Sequence, residues 1–247
     1  MKKPIILITL LLLAFTSSSH ANNSNNKDVL VSLNNIERLT FLLLNKREGG
    51  EQAQRQYLEA MTTLTSPTDL KHLITMPIVK KLAGEHPAEL FALYGWSNAE
   101  AANKLRTDAA YKNTLLPLQK QGWTELAYSD VEINSGESYR LSHDKFYTMS
   151  ELWIKDEHKY QAYFHATQAL RDELGAKILF KHSPTEYSSM QKGAAAPTYV
   201  LLIEWPNEKN IALYPESEKF KQAYPDLLAS VEKFNWYQVA LPTNLNY

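Results

Sequence analysis

The sequences ELFALYGWSN at residues 89–98 and TYVLLIEWPN at residues 198–207 decide the fold. Each is a short apolar run that ends in tryptophan and a polar turn, a pattern typical of a buried strand. The two tryptophans are 109 positions apart, and the same offset recurs beyond them. It relates Trp96 to Trp205, Asn98 to Asn207, Tyr111 to Phe220, Lys112 to Lys221 and Leu118 to Leu227. This repetition predicts a tandem duplication.

The flanking segments predict the same order of elements in both copies: strand, helix, strand, strand, helix, strand. Because βαβ crossovers are right-handed, both helices of a copy lie on one face of a four-stranded antiparallel sheet. This is the split βαβ or ferredoxin-like unit. The predicted strands are residues 39–44, 74–82, 89–96 and 123–131 in the first copy and 146–154, 176–182, 198–205 and 236–241 in the second.

The sheet face without helices is too apolar to meet water, since it carries residues such as Phe41, Leu43, Val200 and Leu202. In a duplicated chain the two bare faces can cover each other. The predicted fold class is therefore α+β, with two tandem ferredoxin-like βαββαβ domains whose antiparallel sheets pack as an intramolecular α+β barrel.

The N-terminus has the pattern of a secretory signal peptide. Lys2 and Lys3 precede a short apolar run, and Ser19-His20-Ala21 ends it with a small-x-small site. We expect a periplasmic or secreted protein, with an uncleaved anchor as the alternative. The predicted domain plan is a signal peptide at 1–21, a linker at 22–35, ferredoxin-like domains at 36–134 and 146–242 with a linker at 135–145 between them, and a tail at 243–247.

Composition excludes several classes of function. Without Lys2 and Lys3 the chain has 24 basic and 27 acidic residues, and no arginine-rich stripe, so nucleic acid is not an expected partner. The absence of cysteine excludes disulfides, thiolate chemistry and a lipid-modified cysteine. No second apolar run has membrane length. A small molecule and self-association remain open as partners.

The chain resembles the dimeric α+β barrel superfamily, which includes antibiotic-biosynthesis-type monooxygenases, chlorite-dismutase-like proteins and uncharacterised bacterial domains. Trp205-Pro206-Asn207 followed by Tyr214 to Phe220, with Ser217 between the two aromatics, carries the resemblance to one uncharacterised branch. The resemblance implies a barrel fold. For function it leaves open cofactor-free oxygenase chemistry, haem chemistry or no known activity, and it transfers no catalytic set. Most relatives form the barrel between two subunits, whereas this chain contains both halves.

Glu204 and His182 are the candidate acid–base residues. Alternation places Glu204 on the same face of the strand as Val200 and Leu202. If that face lines the barrel interior, the apolar surroundings would raise the pKa of the Glu204 carboxylate. Glu151 is its expected neighbour. The alternative places Glu204 at the strand end, near solvent and paired with a lysine.

The candidate ligand-binding residues are mostly aromatic side chains of the strands, which could wall a flat ligand or simply fill a core. No cofactor is predicted, and haem rests on the superfamily analogy alone. His158 and His165 are too far apart in sequence to share a metal on one helix, so no metal site is predicted. The candidate set is Glu151, Trp153, Tyr199, Tyr94, Trp96 and Trp205.

The sequence therefore predicts a binder of a small apolar or aromatic molecule in the barrel between the sheets. Turnover of a cofactor-independent oxygenase or isomerase type would be compatible with such a site. The alternative is a non-catalytic envelope protein with a structural or interaction role, and the sequence does not decide whether the protein is an enzyme. The long connection at 183–197 is interpreted as either a lid or a disordered loop.

Overall fold

The computed structural model describes residues 28–64, 69–85, 87–133, 136–184, 186–189 and 196–242. The predicted signal peptide and C-terminal tail lie outside these residues, so export stays a prediction. Within the described segments, no helix combines the length and apolarity needed to cross a membrane.

The elements follow the predicted order, with three short strands added. They are β1 (Val29–Ser32), β2 (Arg38–Lys46), α1 (Glu51–Leu64), β3 (Leu70–Ala83), β4 (Leu90–Trp96), α2 (Ala99–Thr107), a π-helical turn (Tyr111–Leu115), α3 (Leu116–Gly122), β5 (Trp123–Glu132), β6 (Ser138–Leu141), β7 (Phe146–Ile154), α4 (Glu157–Ala166), α5 (Gln168–Glu173), β8 (Lys177–His182), β9 (Glu186–Ser189), β10 (Tyr199–Trp205), α6 (Glu208–Glu216), α7 (Glu218–Ser230) and β11 (Val231–Val239).

Nine strands form one antiparallel sheet in the order β8-β10-β7-β11-β3-β4-β2-β5-β9. The first half of the chain contributes β3-β4-β2-β5 and the second half contributes β8-β10-β7-β11, which are the same ferredoxin-like order. Backbone pairing of β11 with β3 joins the two halves edge to edge. The predicted α+β fold class is confirmed.

The sheet closes on itself through the segment after β8. In the first half the 14-residue strand β3 pairs first with β4 and then with β11. In the second half two strands share the corresponding pairings: β8 pairs with β10, and β9 pairs with β5 of the other half. Four peptide steps from His182 to Glu186 span at most about 14 Å, so the two ends of the sheet meet and form a barrel. Part of the predicted lid or loop is therefore a closing strand, and residues 190–195 lie outside the described segments.

The predicted linkers at 22–35 and 135–145 contain a second, two-stranded sheet. β1 pairs antiparallel with β6, with Val29 opposite Leu141. Val29, Val31 and Leu141 are buried in the same apolar cluster as the inward side chains of the barrel strands. These segments therefore contribute to the core rather than only connecting the domains.

The π-helical turn adds one residue to the second helical segment of the first half, so the spacing between matching residues of the two halves changes there. The caps Asn98 and Asn207 start the second helices of the two halves, 109 positions apart. The buried helix ends Gly122 and Ser230 are only 108 apart, because the wider π turn accommodates one extra residue in the first half. Leu118 and Leu227, which match in sequence, are therefore not structurally equivalent.

Candidate functional site

The barrel interior is filled with side chains. The interior cluster joins both halves and includes Phe41, Phe91, Phe180, Leu202 and Tyr237, all buried. The prediction of a ligand cavity between the two sheets is therefore corrected. Large inward side chains from facing strands meet at the barrel centre and occupy that space.

The cavities described below lie on the outer face of the sheet, beneath the helices. On β10, the side chains of Leu201 and Trp205 belong to this outer layer, whereas those of Val200 and Leu202 point inward. Each half of the chain has such a layer, and each has a cavity in it.

The second half has the larger cavity, of about 410 Å³, between the helices α4, α6 and α7 and the strands β7, β10 and β11. This volume lies in the range usual for sites of small organic ligands. Its walls are mainly the aromatic side chains Tyr160, Phe164, Trp205, Phe220, Tyr224 and Trp236.

Three tyrosine hydroxyls bring polarity into this apolar space. The hydroxyls of Tyr163 and Tyr214 lie 3.1 Å apart and share a hydrogen bond. Tyr160 is buried, and its hydroxyl has no hydrogen-bond partner within the described part of the chain. Burial raises the pKa of Tyr160 and of Tyr163, so both phenols are neutral near pH 7. Tyr160 therefore adds to this wall a buried, neutral O–H donor without a partner among the described residues.

Arg171 supplies a fixed positive charge at the wall of the same cavity and is only 6% exposed. Its Nη1 donates to Thr167 Oγ1 at 2.6 Å and its Nη2 donates to the Phe164 carbonyl at 2.7 Å. The guanidinium also lies 4.0 Å from the centre of the Phe164 ring. No carboxylate of the described segments forms an ion pair with it. The neutral hydrogen-bond partners fix the cation without cancelling its charge.

Trp205, a predicted ligand residue, lies in this cavity. Its Nε1 donates to Thr148 Oγ1 at 2.9 Å, and its ring meets Tyr214 edge-on at 5.5 Å. Tyr199 lies behind the wall, where it stacks on Tyr160 at 5.5 Å and donates to Glu157 Oε1 at 3.0 Å. Tyr199 thus supports the wall from outside.

Tyr94 and Trp96 line a different cavity, of about 270 Å³, in the first half. Trp96 Nε1 donates to Thr40 Oγ1 at 2.9 Å, the same contact as between Trp205 and Thr148. Here, however, the threonine hydroxyl donates in turn to the fully buried carboxylate of Asp130. Three of the predicted aromatic residues therefore line cavities, Trp205 in the second half and Tyr94 and Trp96 in the first.

The predicted acid–base residues do not form a cluster. Strand register places Glu204 opposite Tyr147, but places both Glu151 and His182 opposite Val200. Four residues of extended strand are about 13 Å, so Glu204 is not the neighbour of Glu151 or of His182.

Glu204 lies near the end of β10, opposite Lys177. This is the position given by the alternative interpretation, in which Glu204 is at the strand end beside a lysine. Glu204 is half-buried and accepts a hydrogen bond from the Tyr147 hydroxyl at 3.4 Å. The His182 ring stacks on Phe180 at 5.4 Å, and burial lowers the pKa of His182. Neither residue borders the cavities described here.

Glu151 and Trp153 point into the barrel. Glu151 is 3% exposed and accepts a hydrogen bond from Asn235 Nδ2 at 2.9 Å. Burial raises the pKa of Glu151 to about 7, and the Asn235 hydrogen bond and the charge of Lys233 oppose the shift. Trp153 is buried with the Lys233 ammonium 4.3 Å from its ring centre.

The larger cavity does not fit haem. Its described lining has no histidine or methionine, and the chain has no cysteine, so the usual neutral and thiolate axial ligands are missing. A tyrosine ligand would have to be a phenolate, whereas burial raises the pKa of Tyr160 and Tyr163. His158 and His165 lie on the exposed face of α4. No reaction step is therefore assigned to haem.

No protein family model matches the chain, and no curated protein matches it. Among solved structures, it is similar to an anthrone oxidase-like protein, at 15% identity over 85% of this chain and 94% of that chain, with a TM-score of 0.53. It is also similar to the chlorite dismutase of Candidatus Nitrospira defluvii in complex with imidazole, at 10% identity over 83% and 91%, with a TM-score of 0.52. These likenesses establish the dimeric α+β barrel fold.

Proposed function

We propose that the cavity of the second half binds a small, flat, conjugated molecule that carries an oxygen, and stabilises that molecule as its oxyanion. The observation that carries the proposal is the pairing of the Arg171 cation with the Tyr160 hydroxyl in one aromatic-walled cavity. Aromatic walls suit a flat ring system, and a buried cation with a neutral donor stabilises negative charge on oxygen.

Oxygenation without a cofactor is the chemistry that suits such a site. An anthrone is a flat tricyclic ketone, and the similarity to an anthrone oxidase-like protein makes it a suitable probe. Loss of a methylene proton to water gives its enolate, whose oxygen Arg171 and Tyr160 would hold. The enolate carbon then adds O₂ and, with a proton, forms a hydroperoxide. Loss of water leaves anthraquinone, so that anthrone and O₂ give anthraquinone and water.

Anthrone binding to the full-length protein under exclusion of oxygen tests the binding step. We expect a saturable absorption change at the enolate band. Tyr160→Phe should lower the affinity for anthrone about tenfold, as expected for loss of a hydrogen bond to a charged group. Tyr199→Phe is the matched control, because it removes a hydroxyl from the other side of the same wall. Equal affinity of the Tyr160→Phe protein, or no saturable binding, would reject the site.

Admission of oxygen separates binding from catalysis. An enzyme would consume one O₂ for each anthraquinone formed, and Arg171→Gln would slow this turnover. Binding without accelerated oxidation would leave a binding protein.

A non-catalytic envelope protein is the second candidate function, and the packed barrel interior favours it. In this case the barrel serves as a rigid scaffold for interaction or self-association. It predicts no anthrone binding and a concentration-dependent mass in sedimentation experiments.

We also propose that the protein is exported and that its two halves arose by tandem duplication. The signal-peptide pattern supports cleavage after Ala21, and the shared strand order of the two halves supports duplication. The intact mass of the protein from an envelope fraction would show whether the first 21 residues are removed.

A further inference from the structure

The first half has its own cavity, whose lining is chemically unlike that of the second half. It lies between the sheet and the helices α1 to α3, and its polar lining includes Thr40, Tyr57, Tyr94, Arg106, Tyr111 and Gln119. The π-helical turn begins at Tyr111, and such turns occur frequently at functional sites. We propose that this cavity is a second, independent binding site, for small single-ring aromatic carboxylates.

A buried ionic network holds Arg106 at the wall of this cavity. Arg106 Nη2 lies 2.7 Å from Asp130 Oδ2, and Arg38 Nη2 approaches the same oxygen at 3.0 Å. The guanidinium is further enclosed by the rings of Trp96 at 5.9 Å and Tyr128 at 5.3 Å. Asp130 and Arg38 are almost fully buried, whereas the Arg106 side chain is 29% exposed. Arg106 is therefore the member of the network that faces the cavity.

The fold itself does not require this network. At the equivalent positions the second half has Gln238 for Asp130, Pro215 for Arg106 and Phe146 for Arg38. Both halves nevertheless share the same strand order and the same tryptophan–threonine hydrogen bond. Removing charges from water is costly, so a network that the other half lacks points to a role beyond folding. We assign it the orientation of the Arg106 guanidinium.

The lining indicates the ligand class. A guanidinium held in a fixed orientation matches the two oxygens of a carboxylate. Trp96, Tyr94 and Tyr128 provide ring surfaces, and Gln119 adds a polar side chain to the lining. The volume of about 270 Å³ suits one ring better than the three rings proposed for the cavity of about 410 Å³.

Isothermal titration calorimetry of the full-length protein with 4-hydroxybenzoate tests the proposal. We expect saturable binding that Arg106→Gln weakens about tenfold or more, as expected for loss of a charged hydrogen bond. Arg171→Gln, the matched change in the other cavity, should leave the affinity unchanged. Thermal unfolding of both variants shows whether they remain folded.

A measurement on the unmodified protein covers the case in which Arg106→Gln fails to fold. The neutral analogue 4-hydroxybenzyl alcohol should bind about tenfold more weakly than 4-hydroxybenzoate, because it has no carboxylate for Arg106. Equal binding of the two compounds, no saturable binding of 4-hydroxybenzoate, or loss of its binding in the Arg171→Gln protein would each overturn the proposal. Anthrone should not compete with 4-hydroxybenzoate, so the two sites are tested separately.

Discussion

The two halves of the barrel place the same tryptophan–threonine pair in different chemical surroundings. Thr40 in the first half lies opposite Asp130, a buried carboxylate held by two arginines. Thr148 in the second half lies opposite Gln238, whose amide donates to Glu208 at 3.0 Å. The backbone frame is shared, so the difference in cavity chemistry comes from a few side chains.

The inner faces of the two halves also differ at the position that Glu151 occupies in the second half. Leu43 occupies it in the first half, and the buried carboxyl of Glu151 occupies it in the second. Among the described side chains, each half thus has one buried acid, on the outer face in the first half and on the inner face in the second. Asp130 has arginine partners, whereas Glu151 has an amide partner and a nearby lysine.

The largest expected effect comes from breaking the ionic network. Asp130→Leu removes the carboxylate that Arg38 and Arg106 contact, so we expect the free energy of unfolding to fall by about 3–5 kcal/mol. Gln238→Leu at the equivalent position removes one neutral donor and should lower the free energy of unfolding by about 1 kcal/mol. Urea unfolding of both variants makes the comparison, and equal losses would contradict it.

The second effect depends on pH and concerns Glu151. Its pKa is raised from 4.5 to about 7, so the folded state binds its proton more tightly than the unfolded state. The associated stability is fully present below pH 4.5, falls as the pH rises towards about 7, and is lost above it. At 1.36 kcal/mol per pKa unit the loss is about 3 kcal/mol. Glu151→Gln should abolish this pH-dependent part of the stability. Urea unfolding of both proteins at pH 4 and pH 9 measures it. The same pH dependence in the variant would contradict the assignment to Glu151.

The third comparison concerns the two threonines. Thr148→Val leaves the buried Trp205 Nε1 without its acceptor and should cost about 1–2 kcal/mol. Thr40→Val should cost more, because it removes a partner from Asp130 as well as from Trp96. Urea unfolding measures both losses, and a smaller loss for Thr40→Val would mean that the network does not depend on this hydroxyl.

The smallest effect is expected for the Tyr160 hydroxyl. Tyr160→Phe should change the free energy of unfolding by less than about 0.5 kcal/mol, because this hydroxyl has no partner in the described structure. Tyr163→Phe should cost about 1 kcal/mol, since it removes the hydrogen bond with Tyr214. A large loss for Tyr160→Phe would show a structural role and would weaken its assignment to a ligand.

The sequence was sufficient to predict the fold class, because strand periodicity and the repeated tryptophan motif are local signals. Alternation also correctly placed Glu204 on the same face as Leu202. It could not show that this face is filled, since filling depends on side chains from strands that are distant in sequence. The rings of Phe41 and Phe180, for example, have their centres 5.4 Å apart. Nor could alternation give the β7–β10 register, which separates Glu151 from Glu204.

Sequence reasoning missed the charged and phenolic residues of the cavities for a similar reason. Arg171 and Tyr160 look like ordinary residues of an amphipathic helix, and only the packing of α4 and α5 on the sheet buries them. Asp130 did carry a signal, because it interrupts a strand that is otherwise largely apolar or uncharged, LAYSDV at residues 126–131. A charged residue at such a position requires a partner.

The central claim is that a flat conjugated ligand binds beneath the helices of the second half rather than inside the barrel. A crystal structure of the protein with a bromine-labelled anthrone tests this most directly, because the anomalous signal of bromine locates the ligand. We predict a single bromine peak between α4, α7 and the outer face of β10, close to Trp205 and Arg171. A peak in the barrel interior, a peak only in the first-half cavity, or no bound bromine would contradict the claim.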